Sequence, residues 1–285
     1  MFKHLTLSNV PLQYQLIKFT LRPITLPDFV RNEQHSPEWF LKNIASIYAD
    51  MNKIQSADPD VTVVIPAYNE EETILRTLSS LSKTKSSQKI EILVVDNNST
   101  DQTGELVKKS GATYLFEGKQ GVKHARTAGL HAARGKYILN ADADSIYSPD
   151  WIDLMTLPLR QEKIACTYGR FAFFPETNTS RKFYFIYESF GDLYKRTIQK
   201  LKDEAMYVYG CSSGFRKEQG ILVGGYEHPV GSNEDGYLGL KLRERFGRLK
   251  RISSNKALVW TSDRRLNSEG GIPIAFMNRL KKAFA

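Results

Sequence analysis

Three short apolar, largely β-branched runs constrain this chain more than any other feature. Each stops at a turn of polar or acidic residues. Val61-Thr-Val-Val-Ile65 stops at Pro66, Ile90-Glu-Ile-Leu-Val-Val95 runs into Asp96, and Tyr137-Ile-Leu-Asn-Ala141 runs into Asp142. Apolar runs of this length read as strands buried on both faces. After the first, Asn69 and Glu72 have capping-box spacing, Glu70, Glu71 and Glu72 suit a first helical turn, and Ile74, Leu75, Leu78 and Leu81 share one face. Ser99 or Thr100 is placed to cap the helix after the second run. Strands alternating with helices predict an α/β fold, a mostly parallel Rossmann-like sheet flanked by helices. Such sheets bind ligands outside the carboxyl ends of their strands. Pro66–Glu70, Asp96–Ser99 and Asp142–Asp144 all fall at those ends.

The rest of the chain divides around that core. Residues 1–59 read as an N-terminal extension, partly helical, with Trp39, Phe40, Ile44, Ile47, Tyr48 and Met51 at helical spacing between Pro37 and about Ile54. Residues 60–145 form the first half of the main domain. Residues 146–262 are more irregular and aromatic, with a helix predicted from about Ser180 to Lys202, a strand at Tyr207-Val-Tyr209, and a helix over 234–246. Residues 263–285 form a basic segment in which Arg279, Lys281 and Lys282 lie among Ile274, Phe276, Met277, Leu280 and Phe284, the pattern of a short basic amphipathic helix.

Composition excludes several classes. With 40 basic and 31 acidic side chains the net charge is +9, yet twelve basic against three acidic residues fall in 241–285 and account for all of it. That argues against a diffuse nucleic-acid-binding surface and for a local anion site near the C-terminus. Two cysteines, Cys166 and Cys211, give neither a disulfide framework nor zinc-ligand spacing. No run approaches the ~18 apolar residues of a membrane span, and the N-terminus lacks a signal-peptide pattern. The expectation is a cytoplasmic protein.

Asp142-Ala-Asp144 lies just past a strand, where residues i and i+2 point the same way. Two hard oxygen ligands there suit Mg²⁺ or Mn²⁺ bridging a diphosphate. The competing reading is a capped turn near Ser145 and Pro149. For Asp96, beside Asn98 and Ser99, the plain alternative is an Asx turn leading into a helix. Ser232 and Asp235 also have capping-box spacing.

Taken together, Val63-Val-Ile-Pro-Ala-Tyr-Asn-Glu-Glu71, Val94-Val-Asp-Asn-Asn-Ser-Thr-Asp101 and Ala141-Asp-Ala-Asp-Ser145 resemble the family 2 glycosyltransferases of GT-A fold, in order and separation, over roughly residues 60–262. The resemblance implies transfer of a sugar from a nucleotide diphosphate donor, with inversion and a divalent metal held by Asp142 and Asp144. Asp96 would contact the uracil or ribose, and Pro66, Ala67, Tyr68 and Glu70 would form the other wall of the nucleoside pocket. Gly118-Lys-Gln-Gly121 and Ala125-Arg-Thr-Ala-Gly129 resemble the loop and helix that bring Lys119 and Arg126 to the nucleotide. Ser232-Asn-Glu-Asp235 matches the acidic pair before a helix, making Asp235 the general base and Glu234 the alternative. Where many members supply a histidine to the metal, this chain reads Trp260-Thr-Ser-Asp-Arg-Arg265. Asp263 is the candidate substitute, and Arg264 and Arg265 can hold the diphosphate bidentately.

The processive synthases' Q-x-x-R-W signature is missing from the sequence. The reading is therefore a non-processive enzyme, with a UDP-sugar donor and a glycan or lipid-linked acceptor. Many relatives use lipid-linked acceptors, so peripheral contact with an anionic membrane at its cytoplasmic face is an accompanying expectation. A sugar nucleotidyltransferase is the first alternative, but Pro66-Ala-Tyr-Asn-Glu70 stands where those enzymes carry a glycine-rich loop. A non-catalytic sugar-nucleotide-binding protein is the second, and it would need no second acidic pair.

Overall fold

The computed structural model describes residues 21–176, 179–198 and 203–264. The chain begins with three short helices, α1 (Asp28–Arg31), α2 (Pro37–Lys42) and α3 (Ile44–Ile54), followed by β1 (Val61–Ala67), α4 (Ile74–Ser82), β2 (Ile90–Asp96), α5 (Thr103–Ser110), β3 (Thr113–Phe116), α6 (Val122–Ala132) and β4 (Tyr137–Asn140). Then come β5 (Ser145–Ile146), α7 (Trp151–Thr156), β6 (Ile164–Tyr168), β7 (Phe171–Phe174), α8 (Arg181–Ile198), β8 (Ser213–Arg216), α9 (Lys217–Leu222), α10 (Glu234–Phe246), β9 (Arg248–Arg251) and β10 (Val259–Ser262).

Seven strands form one sheet in the order β3-β2-β1-β4-β8-β6-β9. The β1–β4 set is parallel, while β8 runs antiparallel to both β4 and β6. Every residue of β2 and β4 is buried, as their sequences require, and β1 is buried but for Pro66. A second, three-stranded sheet, β5-β10-β7, sits at the carboxyl end of β4. It joins the segment after Asp144 to the last described strand, with Thr261 opposite Ser145. No helix among the described residues is long and apolar enough to cross a membrane.

Several local expectations are corrected. The third predicted strand is the fourth, because β3 intervenes; Thr-Tyr-Leu-Phe is a half-exposed edge strand with no apolar run to announce it. Asn69 does not cap a helix, since α4 starts only at Ile74 and Asn69 takes a left-handed φ of 53°. Its side chain accepts the Thr100 amide instead (2.8 Å), tying the β1 turn to the β2 turn. The helical stretch after Pro37 breaks at Asn43; Phe40, Ile47 and Met51 are buried while Trp39 and Tyr48 face solvent. Tyr207–Tyr209 is not a strand: a 3-10 turn covers Glu204–Tyr207, and the strand lies later, at β8. The predicted amphipathic helix at the C-terminus lies outside the described residues.

Candidate active site

A cleft of about 870 Å³ opens at the carboxyl ends of β1, β2 and β4, a usual size for a small-molecule site. One wall is Pro66, Ala67, Tyr68, Glu70 and Asn97; the floor is Arg126 with Asp142 to Asp144; the far wall is Phe171, Phe173, Tyr209 to Cys211 and Asn233 to Asp235. The two halves of the domain therefore meet here.

The D-A-D turn is fixed from three sides. Ala141 N–H donates to Val64 O (3.0 Å), Thr77 Oγ1 donates to Ala143 O (2.9 Å), and Asp142 N–H donates to the Tyr147 hydroxyl (2.8 Å). Tyr147 donates in turn to Cys211 O (3.1 Å), fastening the D-A-D turn to the turn that leads into β8. Cys211 itself is buried, and that burial raises its thiol well above the usual range, which disfavours the nucleophilic thiolate.

Arg126 organises the floor. It is buried, with Nη2 3.2 Å from Asp142 Oδ1 and Nε 3.4 Å from Asp235 Oδ1. Burial would lower its pKa, but the charges of Asp235 and Asp142 outweigh that and raise it. Gly210 lies so close that a Cβ there would collide with the Arg126 guanidinium and the Asp235 carboxylate. One guanidinium thus separates the D-A-D turn from the acidic pair.

Asp235 lies in the first turn of α10. Ser232 does not cap this helix: its hydroxyl donates to Pro229 O (2.8 Å), and Asn233 is the cap, accepting the Gly236 amide (2.8 Å). Asp235 is therefore released from capping. Burial pushes its carboxyl up to about 7, with Arg126 opposing and Glu234 and Asp142 adding to the rise. A carboxyl tuned to that range can accept a proton near neutrality.

At the carboxyl end of β2, Asp96 is not in the cleft lining. Its Oδ1 accepts the Ser99 amide (3.0 Å) and its Oδ2 the Tyr114 hydroxyl (3.1 Å), so the Asx turn is what the structure displays. The next residue, Asn97, lines the cleft, a role the sequence reading missed. Its amide nitrogen donates to Lys119 O (2.8 Å) and Glu117 O (3.1 Å), and its oxygen accepts from Gly121 N (2.7 Å). Asn97 thereby shapes the glycine loop, where Gly121 takes a φ of 127° that suits only glycine. Asn98 is exposed in left-handed conformation, Ser99 Oγ accepts the Asn69 amide (3.0 Å), and Lys119 is exposed at the loop tip. Half-exposed Tyr68 offers the cleft a stacking face.

Glu70 is buried and accepts from Thr73 Oγ1 and from Arg264 Nη2, both at 2.6 Å. The same Arg264 nitrogen lies 3.6 Å from Asp144 Oδ2. Arg265 lies outside the described residues. Asp263 is buried, and its carboxylate accepts from the Tyr184 hydroxyl and the Glu176 amide. Among the described residues no cluster of three or more histidine, cysteine, aspartate or glutamate side chains could hold a metal. Two carboxylates with diphosphate and water oxygens nevertheless meet the usual needs of Mg²⁺ or Mn²⁺, so Asp142 and Asp144 fit such an ion.

The sequence reading also missed the aromatic wall. Phe171 and Phe173 pack edge to face (5.6 Å), as do Phe171 and Tyr209 (5.4 Å). The run Phe171-Ala-Phe-Phe174 carried a signal in its alternation, but nothing local showed which face met the cleft.

A mostly parallel sheet, helices on both sides and an acidic turn at a strand end define a GT-A fold. Residues 62–219 match the model "Glycosyl transferase family 2", and the chain belongs to that family. The glycosyltransferase GlyA of Streptococcus pneumoniae is 27% identical over 138 residues, 47% of this chain and 20% of that protein. This chain therefore spans about a fifth of that curated relative. Two solved structures share the fold at 19% identity. The mannosyltransferase PcManGT from Pyrobaculum calidifontis, in complex with GDP-Man and Mn²⁺, has a TM-score of 0.54 over 81% of this chain and 67% of that one. S. aureus TarS 1–349 in complex with UDP-GlcNAc has a TM-score of 0.55 over 71% and 58%.

Proposed function

We propose that this chain is an inverting, non-processive glycosyltransferase that moves a sugar from a nucleotide diphosphate donor, a UDP-sugar first among them, to a hydroxyl acceptor. The observation that carries this is the meeting of Asp142, Asp144 and Asp235 around Arg126 in one cleft. A pure sugar-nucleotide binder has no use for a buried carboxyl tuned near neutrality beside its phosphate site.

In this reading Tyr68 and Asn97 face the nucleoside with Pro66, Ala67 and Glu70 as the wall, and Asp96, Asn98, Ser99 and Lys119 build the turns behind and beside it. Asp142 and Asp144 hold a divalent ion, which when bound neutralises charge on the departing diphosphate. Arg126 and Arg264 add cationic contacts. Asp235 takes the acceptor hydroxyl proton as that oxygen bonds to the anomeric carbon. The bond from that carbon to the diphosphate oxygen breaks with its electron pair going to the phosphate. Attack and departure on opposite faces invert the centre. The aromatic wall of Phe171, Phe173 and Tyr209 suits an apolar sugar face.

A glycan or lipid-linked acceptor, a part in cell-envelope polysaccharide synthesis, and a cytoplasmic site with peripheral contact to an anionic membrane belong to the same proposal. The excess of basic residues in 241–285 supports the membrane contact. Thermal-shift screening of UDP-, GDP- and TDP-sugars with Mn²⁺, then sugar release from the stabilising donor with and without metal, tests the reading. Stabilisation and metal-dependent release are expected; binding without transfer to any acceptor or water favours the non-catalytic alternative.

A further inference from the structure

Among the described residues, five acidic ones line the cleft, Glu70, Asp142, Asp144, Glu234 and Asp235, against a single basic one, Arg126. A diphosphate entering so acidic a cleft needs further positive charge. Arg264 stands at the edge, its Nη2 shared between Glu70 Oε2 (2.6 Å) and Asp144 Oδ2 (3.6 Å). The two carboxylates are not equivalent anchors. Glu70 is itself held, its amide donating to Thr103 Oγ1 (2.8 Å) and its Oε2 accepting from Thr73. The contact to Asp144 is longer, and about a third of the Arg264 side chain is exposed, so it has room to swing about the Glu70 end.

We propose that Arg264 is a resident counter-cation for the donor site. It neutralises Asp144 while no donor is bound, yields that carboxylate when a divalent ion enters with the nucleotide, and turns, still tethered by Glu70, onto the diphosphate. This rests on the nucleotide-sugar reading of the cleft. The physical reason for an exchange is simple. A carboxylate oxygen ligating a small divalent cation, at about 2.0–2.1 Å for Mg²⁺, has no place for a guanidinium of like charge on the same side. A guanidinium fork, by contrast, matches phosphate oxygens well. Glu70 is then a positioning residue, and Arg264 acts with opposite sign on two equilibria. It competes with the metal alone and assists the metal–nucleotide complex.

Electron paramagnetic resonance of free Mn²⁺, titrated with the full chain, reads both equilibria without turnover. In the absence of nucleotide, Arg264→Gln should bind Mn²⁺ about five-fold or more tightly than wild type, the low end of ordinary coupling between sites. With saturating UDP the order should reverse, Arg264→Gln holding Mn²⁺ more weakly than wild type. Arg264→Lys, which keeps the charge but not the fork, should stay near wild type without UDP and fall with it. A purely structural role would weaken both equilibria together and lower the melting temperature, so thermal melts accompany each titration. Equal or weaker Mn²⁺ binding by Arg264→Gln without UDP overturns the exchange, as does an absence of binding in both proteins. If wild type retains UDP with Mn²⁺ while the exchange fails, the donor reading survives alone. If wild type retains no nucleotide, both fall.

Discussion

Asp235 is the residue where fold and chemistry conflict most openly. Its carboxyl is buried and pushed up to about 7, from an ordinary value near 3.8. The folded state therefore holds a proton that the unfolded state has released across this window. Linkage makes the unfolding free energy fall as pH rises from about 4 to 7, the opposite of a salt-bridged aspartate. Asp235→Asn removes that loss, so its melting temperature should decline less than wild type's over the same pH range. Turnover should drop by ~10²-fold or more, the size of a lost general base, with donor affinity kept. In wild type, kcat/KM should climb through about pH 7 as the base ionises. A flat profile, or an Asn variant with normal turnover, would remove Asp235 from the base role. Asp144→Asn makes the complementary test. A neutral amide ligates a hard cation poorly, so metal-dependent transfer should vanish while the melt stays near wild type. Wild-type turnover in Mn²⁺ would dismiss the metal assignment.

At the scale of elements, what was legible in the sequence depended on how local the cause was. β1, β2 and β4 announce themselves because burial on both faces demands continuous apolar runs. α10 was legible from Leu238 and Leu242, but not its cap, since Ser232 and Asn233 are both good capping residues and the backbone chose the latter. The β5-β10-β7 sheet was invisible: β5 has two residues, and its partner lies over a hundred positions away. The same sheet delivers Arg264 to Asp144, so that part of the site could not be placed without coordinates. Asp96 is ambiguous for another reason. Its type and position suit a ligand contact, and an aspartate before a helix also satisfies nearby backbone amides, so the same residue serves both readings. α8 carries an unforeseen feature: Phe183, Ile186, Phe190 and Leu193 lie at i, i+3, i+7 and i+10, each more than half exposed. Exposed substitutions change stability little, so Phe190→Ser should shift the melt by under about 0.5 kcal/mol in free-energy terms. If the membrane contact proposed above includes this face, the same change should lower co-sedimentation with anionic vesicles. Unchanged partitioning would exclude α8 from that contact.

At the scale of the whole molecule, the extension and the main domain share one core. Phe40, Ile47 and Met51 are buried in the same cluster as Ile74, Leu78, Leu81 and Ile92, and Val30 packs with Ile146 and Trp260 beneath the small sheet. Polar contacts repeat the attachment. Gln55 pairs its side-chain amide with both the amide and the carbonyl of Ile92 (3.0 and 3.1 Å). Arg22 donates to Phe171 O (2.7 Å) and pairs with Asp192 on α8, linking the chain's first described residues to the aromatic wall of the cleft. The extension therefore braces the main sheet and the aromatic wall of the cleft. Met51 is fully buried, and truncating such a side chain costs about 2–5 kcal/mol through lost transfer energy and the cavity left behind. Met51→Ala should lower the urea midpoint accordingly with the m-value unchanged, a single cooperative loss shared by both parts. Activity per folded molecule should stay at wild type, because Met51 is not part of the cleft lining. A biphasic unfolding curve, in which only the first phase moves, would show instead that the extension melts as a unit of its own.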